Sequence, residues 1–132
     1  MKAPPPPHLS PLSRQERPID ENVLDGLHRL SRDGRPDLAK TVSMLFLETA
    51  PVTLQDLQRG AASNNRELLA RASHILSASG AAVGAVSLAA RCKELEAISR
   101  TGAVADAAAR VQLIQRLYAE AESALRAWCA GR

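Results

Sequence analysis

Aromatic side chains are almost absent from this chain, where they make up 2% of the 132 residues. β-rich domains usually contain more aromatic and β-branched residues, and proteins that bind single-stranded nucleic acid use aromatic rings for base stacking. The apolar fraction is 45% and comes mainly from Ala, Leu and Val. Ala and Leu enter helices with little loss of conformational freedom. The composition therefore predicts an all-α protein and argues against nucleic-acid binding.

Long apolar runs and metal-type cysteine spacings are also missing. No stretch approaches the roughly 20 apolar residues of a membrane span, and the N-terminal region lacks the apolar core of a signal peptide. The two cysteines, Cys92 and Cys129, are too far apart to form a Cys-x-x-Cys pair, and we expect both to be buried, reduced thiols. We therefore expect a cytoplasmic protein without membrane contact.

Positive charge is not concentrated in the part of the chain expected to fold. The net charge is +3, and residues 1–18 contribute +2 of it. The remaining residues carry 14 basic and 13 acidic side chains, which are interspersed. Nucleic-acid-binding domains usually show a basic patch or stripe. The charge pattern thus gives a second argument against nucleic acid as a partner.

Proline is concentrated at the beginning of the chain. Six of the eight prolines lie in residues 1–18, including four in succession at 4–7. Such a stretch is typical of a polyproline-type or disordered segment. We predict a Pro-rich tail or linker at 1–18, followed by a single helical domain at 19–130.

Capping residues and helical periodicity define the first two predicted helices. Asp20 is placed to cap a short first helix, with apolar residues recurring behind it at helical spacing. Pro36 suits the first position of a second helix, which we expect to reach about Ala62. Pro51 falls within this second segment. Because an internal proline removes a backbone hydrogen bond, we expect one helix with a kink there.

Three further helices are predicted after this segment. Asn64 and Glu67 resemble a capping box for a third helix from Asn65 to about Ala81. A fourth is expected from about Ala85 to Thr101, and a fifth from near Asp106. Long amphipathic helices joined by short turns favour an antiparallel up-down four-helix bundle. The short first helix would be an addition at its N-terminus.

His74 occupies an unusual position on the third predicted helix. It lies off the apolar stripe of that helix, so its side chain should point to solvent or to the edge of a groove. The predicted stripe consists of Leu68, Leu69, Ala72, Ile75, Leu76, Ser79, Ala82 and Val83. The neighbours of His74 at three and four residues are Ala70, Arg71, Ser77 and Ala78.

Several readings of His74 are open from the residues alone. It could be a surface histidine without a role, which we expect for His8 and His28. A metal site is disfavoured, because no His, Cys or carboxylate lies three or four residues away. A Ser-His catalytic pair is also weak. Ser73 and Ser77 are near, but no carboxylate on the same segment would orient the imidazole.

A longer pattern surrounds this histidine. After His74 come Leu76, Ser79, Val83, Gly84 and Ala85, then the helical set Leu88, Ala89, Cys92, Leu95, Glu96 and Arg100-Thr101-Gly102. Upstream stand Ile19-Asp20 and Leu45-Phe46-Leu47-Glu48-Thr49-Ala50-Pro51. With these elements in order, residues 19–126 resemble a histidine-containing phosphotransfer (HPt) domain.

The resemblance implies a phosphocarrier of a two-component phosphorelay. His74 would accept a phosphoryl group from a receiver-domain aspartate and pass it to another, without a kinase site of its own. The implied partners are a response-regulator receiver domain and a hybrid sensor histidine kinase. Mg²⁺ would belong to the receiver, and this chain would need no cofactor. The docking surface would comprise the small-residue face at Ser77, Ala78 and Ala81 of a monomer.

Two positions depart from the family's His-x-Leu-Lys-Gly motif. Ser77 stands where the family usually has Lys, and Ala78 where it usually has Gly. Ser77 would offer only a neutral donor to a phosphoryl group, and Arg71 could compensate or could be an ordinary solvated charge. A degenerate module that binds a receiver or kinase without phosphotransfer is therefore an alternative. An unrelated helical bundle with an exposed apolar interface is a third hypothesis.

Overall fold

Five helices form the described part of the chain. The computed structural model describes residues 17–31 and 35–131, so most of the predicted tail, at 1–16, lies outside it. The helices, which are the only regular elements of these ranges, are α1 (Glu21–Arg29), α2 (Leu38–Ala62), α3 (Arg66–Ala82), α4 (Val86–Thr101) and α5 (Ala107–Ala130). The predicted all-α bundle with a short additional N-terminal helix is confirmed.

The order of packing places α3 between two neighbours. α3 lies against α2 and α4, α5 contacts α2 and α4, and α1 packs on α2. None of these five helices combines the length and apolar character needed to cross a bilayer.

Aliphatic side chains fill the core. Fully burying one such side chain stabilises a fold by about 1.5–3 kcal/mol. The largest fully buried members are Leu24, Leu57, Leu69, Leu76, Leu88, Leu95, Ile114 and Leu125. Cys92 is buried and free as predicted, and burial raises the pKa of its thiol to about 12. Cys129 is also free but only half-buried, because it lies at the edge of α5.

Local hydrogen bonds explain where the first two helices begin. Asp20 caps α1 as predicted, and its carboxylate accepts a hydrogen bond from the amide of Asn22 at 3.0 Å. α2 begins two residues later than predicted, because Asp37 caps it by accepting from the amide of Ala39 at 2.9 Å. Pro51 lies inside α2, which continues through it as a single helix.

The predicted capping box at Asn64 is wrong by one residue. Asn65 caps α3, and its side chain accepts a hydrogen bond from the amide of Leu68 at 3.1 Å. Asn64 instead adopts a positive φ of 51° in the turn before α3. Asparagine tolerates this left-handed conformation better than most residues. Asn64 thus forms the turn, and Asn65 caps the helix.

The turn between α3 and α4 is tied to the start of α1. Gly84 has a φ of 80°, which side chains other than hydrogen rarely tolerate. Its carbonyl accepts a hydrogen bond from the amide of Asp20 at 2.7 Å. A Cβ atom on Gly84 would lie only 2.6 Å from the Asp20 carbonyl oxygen. Glycine thus permits the close approach that anchors α1 on this turn.

His28 has structural contacts, contrary to the expectation that it has no role. Its Nδ1 lies 2.6 Å from a carboxylate oxygen of Asp37, and its ring meets Trp128 edge-on with centroids 6.4 Å apart. Burial alone would raise the pKa of Asp37, but hydrogen bonds from His28 and from backbone amides lower it overall. His28 therefore connects the end of α1 to the start of α2 and the end of α5. His8 lies outside the described residues.

Candidate functional site

His74 projects outward from the middle of α3. Its side chain is 66% exposed, whereas Ser73 beside it is completely buried. As predicted, His74 lies off the buried stripe, which consists of Leu69, Ala70, Ala72, Ser73, Leu76 and Gly80. The predicted stripe was wrong at Ile75, which is 49% exposed, and at Ala82, which is also exposed. α3 packs against both α4 and α2, so burial along this helix does not follow a single apolar stripe.

A carboxylate on the neighbouring helix holds the imidazole of His74. Nδ1 of His74 lies 3.1 and 3.2 Å from the two carboxylate oxygens of Glu96 on α4. An ionised carboxylate only accepts hydrogen bonds, so Nδ1 carries the hydrogen in this pair. The other ring nitrogen, Nε2, is then unprotonated in the neutral imidazole. This arrangement gives His74 an available nucleophilic lone pair.

Arg100 holds the carboxylate in turn. Its Nη2 and Nε donate to one oxygen of Glu96 at 2.7 and 3.0 Å. These hydrogen bonds, with a further contribution from His74, lower the pKa of Glu96 against the opposing effect of its burial. Glu96 is only 17% exposed and stays ionised at neutral pH. Arg100, Glu96 and His74 form a chain of hydrogen bonds across the α3–α4 interface.

This role of Glu96 was not predicted from the sequence. Glu96 is 22 residues from His74, whereas neighbours on one helix are three or four residues apart. The turn at Gly84 lies between the two helices, and residues at similar distances from a tight antiparallel turn become neighbours. Counting outward from Gly84 places Glu94 opposite His74, and Glu96 lies within one helical turn of that position.

The other predicted site residues surround His74 in different ways. Ala78 and Ala81 are exposed on α3, and so is Arg71. Ser77 is half-buried, and its hydroxyl donates to the backbone carbonyl of Ala89 on α4 at 3.1 Å. In this arrangement the hydroxyl hydrogen of Ser77 points to Ala89. It would have to reorient to donate a hydrogen bond to a phosphoryl group on His74.

The site suits a large partner better than an enclosed small molecule. His74 stands on an open helix surface with small neighbours at Ala78 and Ala81. Within residues 17–31 and 35–131, no group of three or more His, Cys, Asp or Glu side chains is arranged to hold a metal ion. An exposed, oriented imidazole can act as a nucleophile toward an electrophile that another macromolecule presents.

The chain is similar to known proteins in its sequence and in its fold. The family model described as Hpt domain matches residues 42–124. Among solved structures, the chain is similar to the crystal structure of histidine-containing phosphotransfer protein B (HptB) from Pseudomonas aeruginosa PAO1. That match has a TM-score of 0.77 and 23% sequence identity, and it covers 86% of this chain and 96% of the other. At this identity the likeness establishes the fold. A search of curated proteins found no match.

Proposed function

Since this chain belongs to the Hpt domain family and is thus a histidine phosphotransfer protein of phosphorelays, we propose that His74 carries the phosphoryl group. The observation that supports this proposal is the exposed imidazole whose Nδ1 is hydrogen-bonded to Glu96, 3.1 Å away. Nε2 is then the unprotonated ring nitrogen on an exposed side chain that a partner can reach. Of the three histidines in the sequence, His74 is the one that lies within residues 42–124, the range matched by the Hpt family model.

The proposed reaction transfers a phosphoryl group between nitrogen and oxygen. The Nε2 lone pair attacks phosphorus of an aspartyl phosphate, an N–P bond forms, and the P–O bond to the aspartate breaks. The partner's aspartate leaves as a carboxylate, and no other co-reactant is needed. The ring becomes cationic as the bond forms, so the ionised Glu96 beside Nδ1 stabilises the product. The reverse reaction passes the group to a second aspartate.

The proposed partners supply the rest of the chemistry. Phosphoryl transfer depends mainly on in-line positioning and charge neutralisation. We assign Mg²⁺ and the phosphorylated aspartate to a response-regulator receiver domain, and the initial phosphorylation to a hybrid sensor histidine kinase. This chain would act as a monomeric, cytoplasmic intermediate without a cofactor or a kinase site of its own.

The proposed docking surface surrounds His74 on α3. Ala78 and Ala81 are exposed and small, so a receiver loop can approach the helix backbone closely. Ile75, immediately after His74, is 49% exposed and adds an apolar contact that the sequence had assigned to the core. Ser77, also predicted for this surface, is half-buried, and its hydroxyl donates a hydrogen bond to the Ala89 carbonyl.

A phosphotransfer assay tests the proposal. The protein and its His74→Gln variant would be mixed with magnesium-loaded phospho-receivers, and acid-labile, base-stable label on each would be measured. We expect label on the unaltered protein alone. Absence of label with retained receiver binding would instead support the degenerate docking module, which the departures at Ser77 and Ala78 favour.

A further inference from the structure

A phosphoryl group on His74 would bring negative charge to a place that already contains a carboxylate. Phosphate monoesters and related groups carry about −1.5 to −2 charge at pH 7. Glu96 beside His74 is ionised, and both guanidinium contacts of Arg100 go to one of its oxygens. The Ser77 hydroxyl is directed at Ala89. Both side chains are thus already engaged in hydrogen bonds within the protein, and a further cation nearby would help to neutralise the phosphoryl charge.

Lys93 lies on the stretch of α4 that runs beside His74. It follows Ala89 by four residues and precedes Glu96 by three, and residues at these spacings share one face of a helix. The backbone carbonyl of Ala89 accepts a hydrogen bond from Ser77, and the carboxylate of Glu96 contacts His74. Lys93 therefore stands between the two points where α4 meets the site. It is exposed, and it has no hydrogen-bond or ion-pair partner in the described ranges.

Arg71 is the other cation on this face, but its direction is less favourable. It precedes His74 by three residues on α3. Ser77, three residues after His74, faces α4. Because steps of three residues forward and backward rotate in opposite directions around a helix, Arg71 is turned away from α4.

We propose that Lys93 is the cation that contacts the phosphoryl oxygens on His74. This assignment rests on the proposed function of His74 and adds a second helix to the transfer site. A lysine ammonium is a compact charge on a flexible chain with three donors. It can follow the phosphoryl group as that group moves between the partner's oxygen and Nε2.

The test compares two phosphodonors, a phospho-receiver and potassium phosphoramidate. With phosphoramidate, Nε2 attacks phosphorus, the N–P bond of the donor breaks, and ammonia leaves, so no receiver is required. We expect Lys93→Gln to slow labelling of His74 by about fivefold with either donor. Arg116→Gln on α5, which removes an exposed charge far from the site, should leave both rates unchanged. The midpoint of urea unfolding should not move in either variant.

A rescue variant separates charge from structure. Ser77→Lys combined with Lys93→Gln places an ammonium three residues from His74 on α3, on the side facing α4. We expect this double variant to recover the labelling rate, and raised salt to slow Lys93→Gln less than the unaltered protein.

Four results would overturn the assignment. The first is an unchanged labelling rate in Lys93→Gln, and the second is a slower labelling rate in Arg71→Gln alone. The third is slower labelling of Lys93→Gln by the receiver but not by phosphoramidate. The fourth is that phosphoramidate does not label His74. Failure of the relay function gives a different result. Phosphoramidate would then label His74 with the Lys93 dependence intact, while every phospho-receiver failed.

Discussion

The imidazole of His74 and the carboxylate of Glu96 belong to different helices and lie 3.1 Å apart between Nδ1 and the nearer oxygen. A residue of α4 therefore orients the ring through Nδ1, while the His74 side chain as a whole stays largely exposed. A nucleophile is fixed in this way without an enclosing pocket. Steric freedom for a protein partner and a defined direction of attack are thus compatible on one exposed helix.

Glu96→Gln should slow phosphorylation of His74 by about fivefold, since an exposed charge-assisted contact is worth about 1 kcal/mol. A glutamine amide can donate as well as accept, so it no longer selects hydrogen on Nδ1. Ring ¹⁵N shifts should show a mixed tautomer, and timed labelling gives the rate. Glu120→Gln, an exposed change on α5, is the matched control. An unchanged tautomer and rate would refute the orienting role.

Ala78→Leu should weaken receiver binding at least about tenfold, which corresponds to about 1.4 kcal/mol. The larger side chain occupies the exposed surface beside His74 without filling any core space. Labelling by phosphoramidate should be unaffected, because that donor is small. Titration calorimetry with a receiver measures the binding, and Ala119→Leu on exposed α5 surface is the control. Equal affinity in both variants would place the docking surface elsewhere.

Asp37→Asn should destabilise the protein at pH 6 and much less at low pH. The pKa of Asp37 is lowered in the folded state. Such a group stabilises the fold above its unfolded-state pKa of about 3.9, and this stabilisation is lost as the pH falls through the lower folded-state value. Asparagine remains a good N-cap, so the variant mainly removes charge.

Urea unfolding at several pH values between about 6 and 2.5 would measure this effect, and Glu120→Gln provides a carboxylate control. The gap in unfolding free energy between the unaltered protein and Asp37→Asn should narrow toward the acidic end. A difference in unfolding free energy that does not change with pH would mean that the charge of Asp37 does not stabilise the contact between α1 and α2.

Gly84→Ala should destabilise the fold by about 1–3 kcal/mol, because a side chain at positive φ is strained and its Cβ would meet the backbone of Asp20. Gly102→Ala is the matched comparison. Its φ is 175°, an extended conformation open to any residue, and a Cβ there meets nothing within 4 Å. Urea midpoints of the two variants should therefore diverge. A similar small effect in both would show that the α3–α4 turn relaxes freely.

Much of the fold was predictable because it depends on short-range chemistry. The cap at Asp20 and the end of α4 at Thr101 follow from side chains that act within one turn of their own position. Continuity of α2 through Pro51 was also expected from the apolar residues on both sides of it. The position of His74 off the buried stripe followed from the helical period of its neighbours.

At the site itself, the errors arose where packing against another helix determines which side chains are buried. The helical period of α3 does not reveal that Ser73 is buried and that Ile75 is exposed. The hydrogen bond between Ser77 and Ala89 depends on the register of α3 and α4. The contact of Glu96 with His74 depends on the same register. That register is set by the turn at Gly84, so it was present in the sequence but not in the pattern of any single helix.

The side chains of the proposed transfer site, from His74 to the Glu96–Arg100 pair, all belong to α3 and α4. Contacts across such a hairpin close short loops, which costs little chain entropy and favours rapid formation. We therefore expect the recognition surface to coincide with the folding nucleus. Substitutions at the α3–α4 interface should then change the folding rate, whereas those in α1 or at the end of α5 should mainly change the unfolding rate.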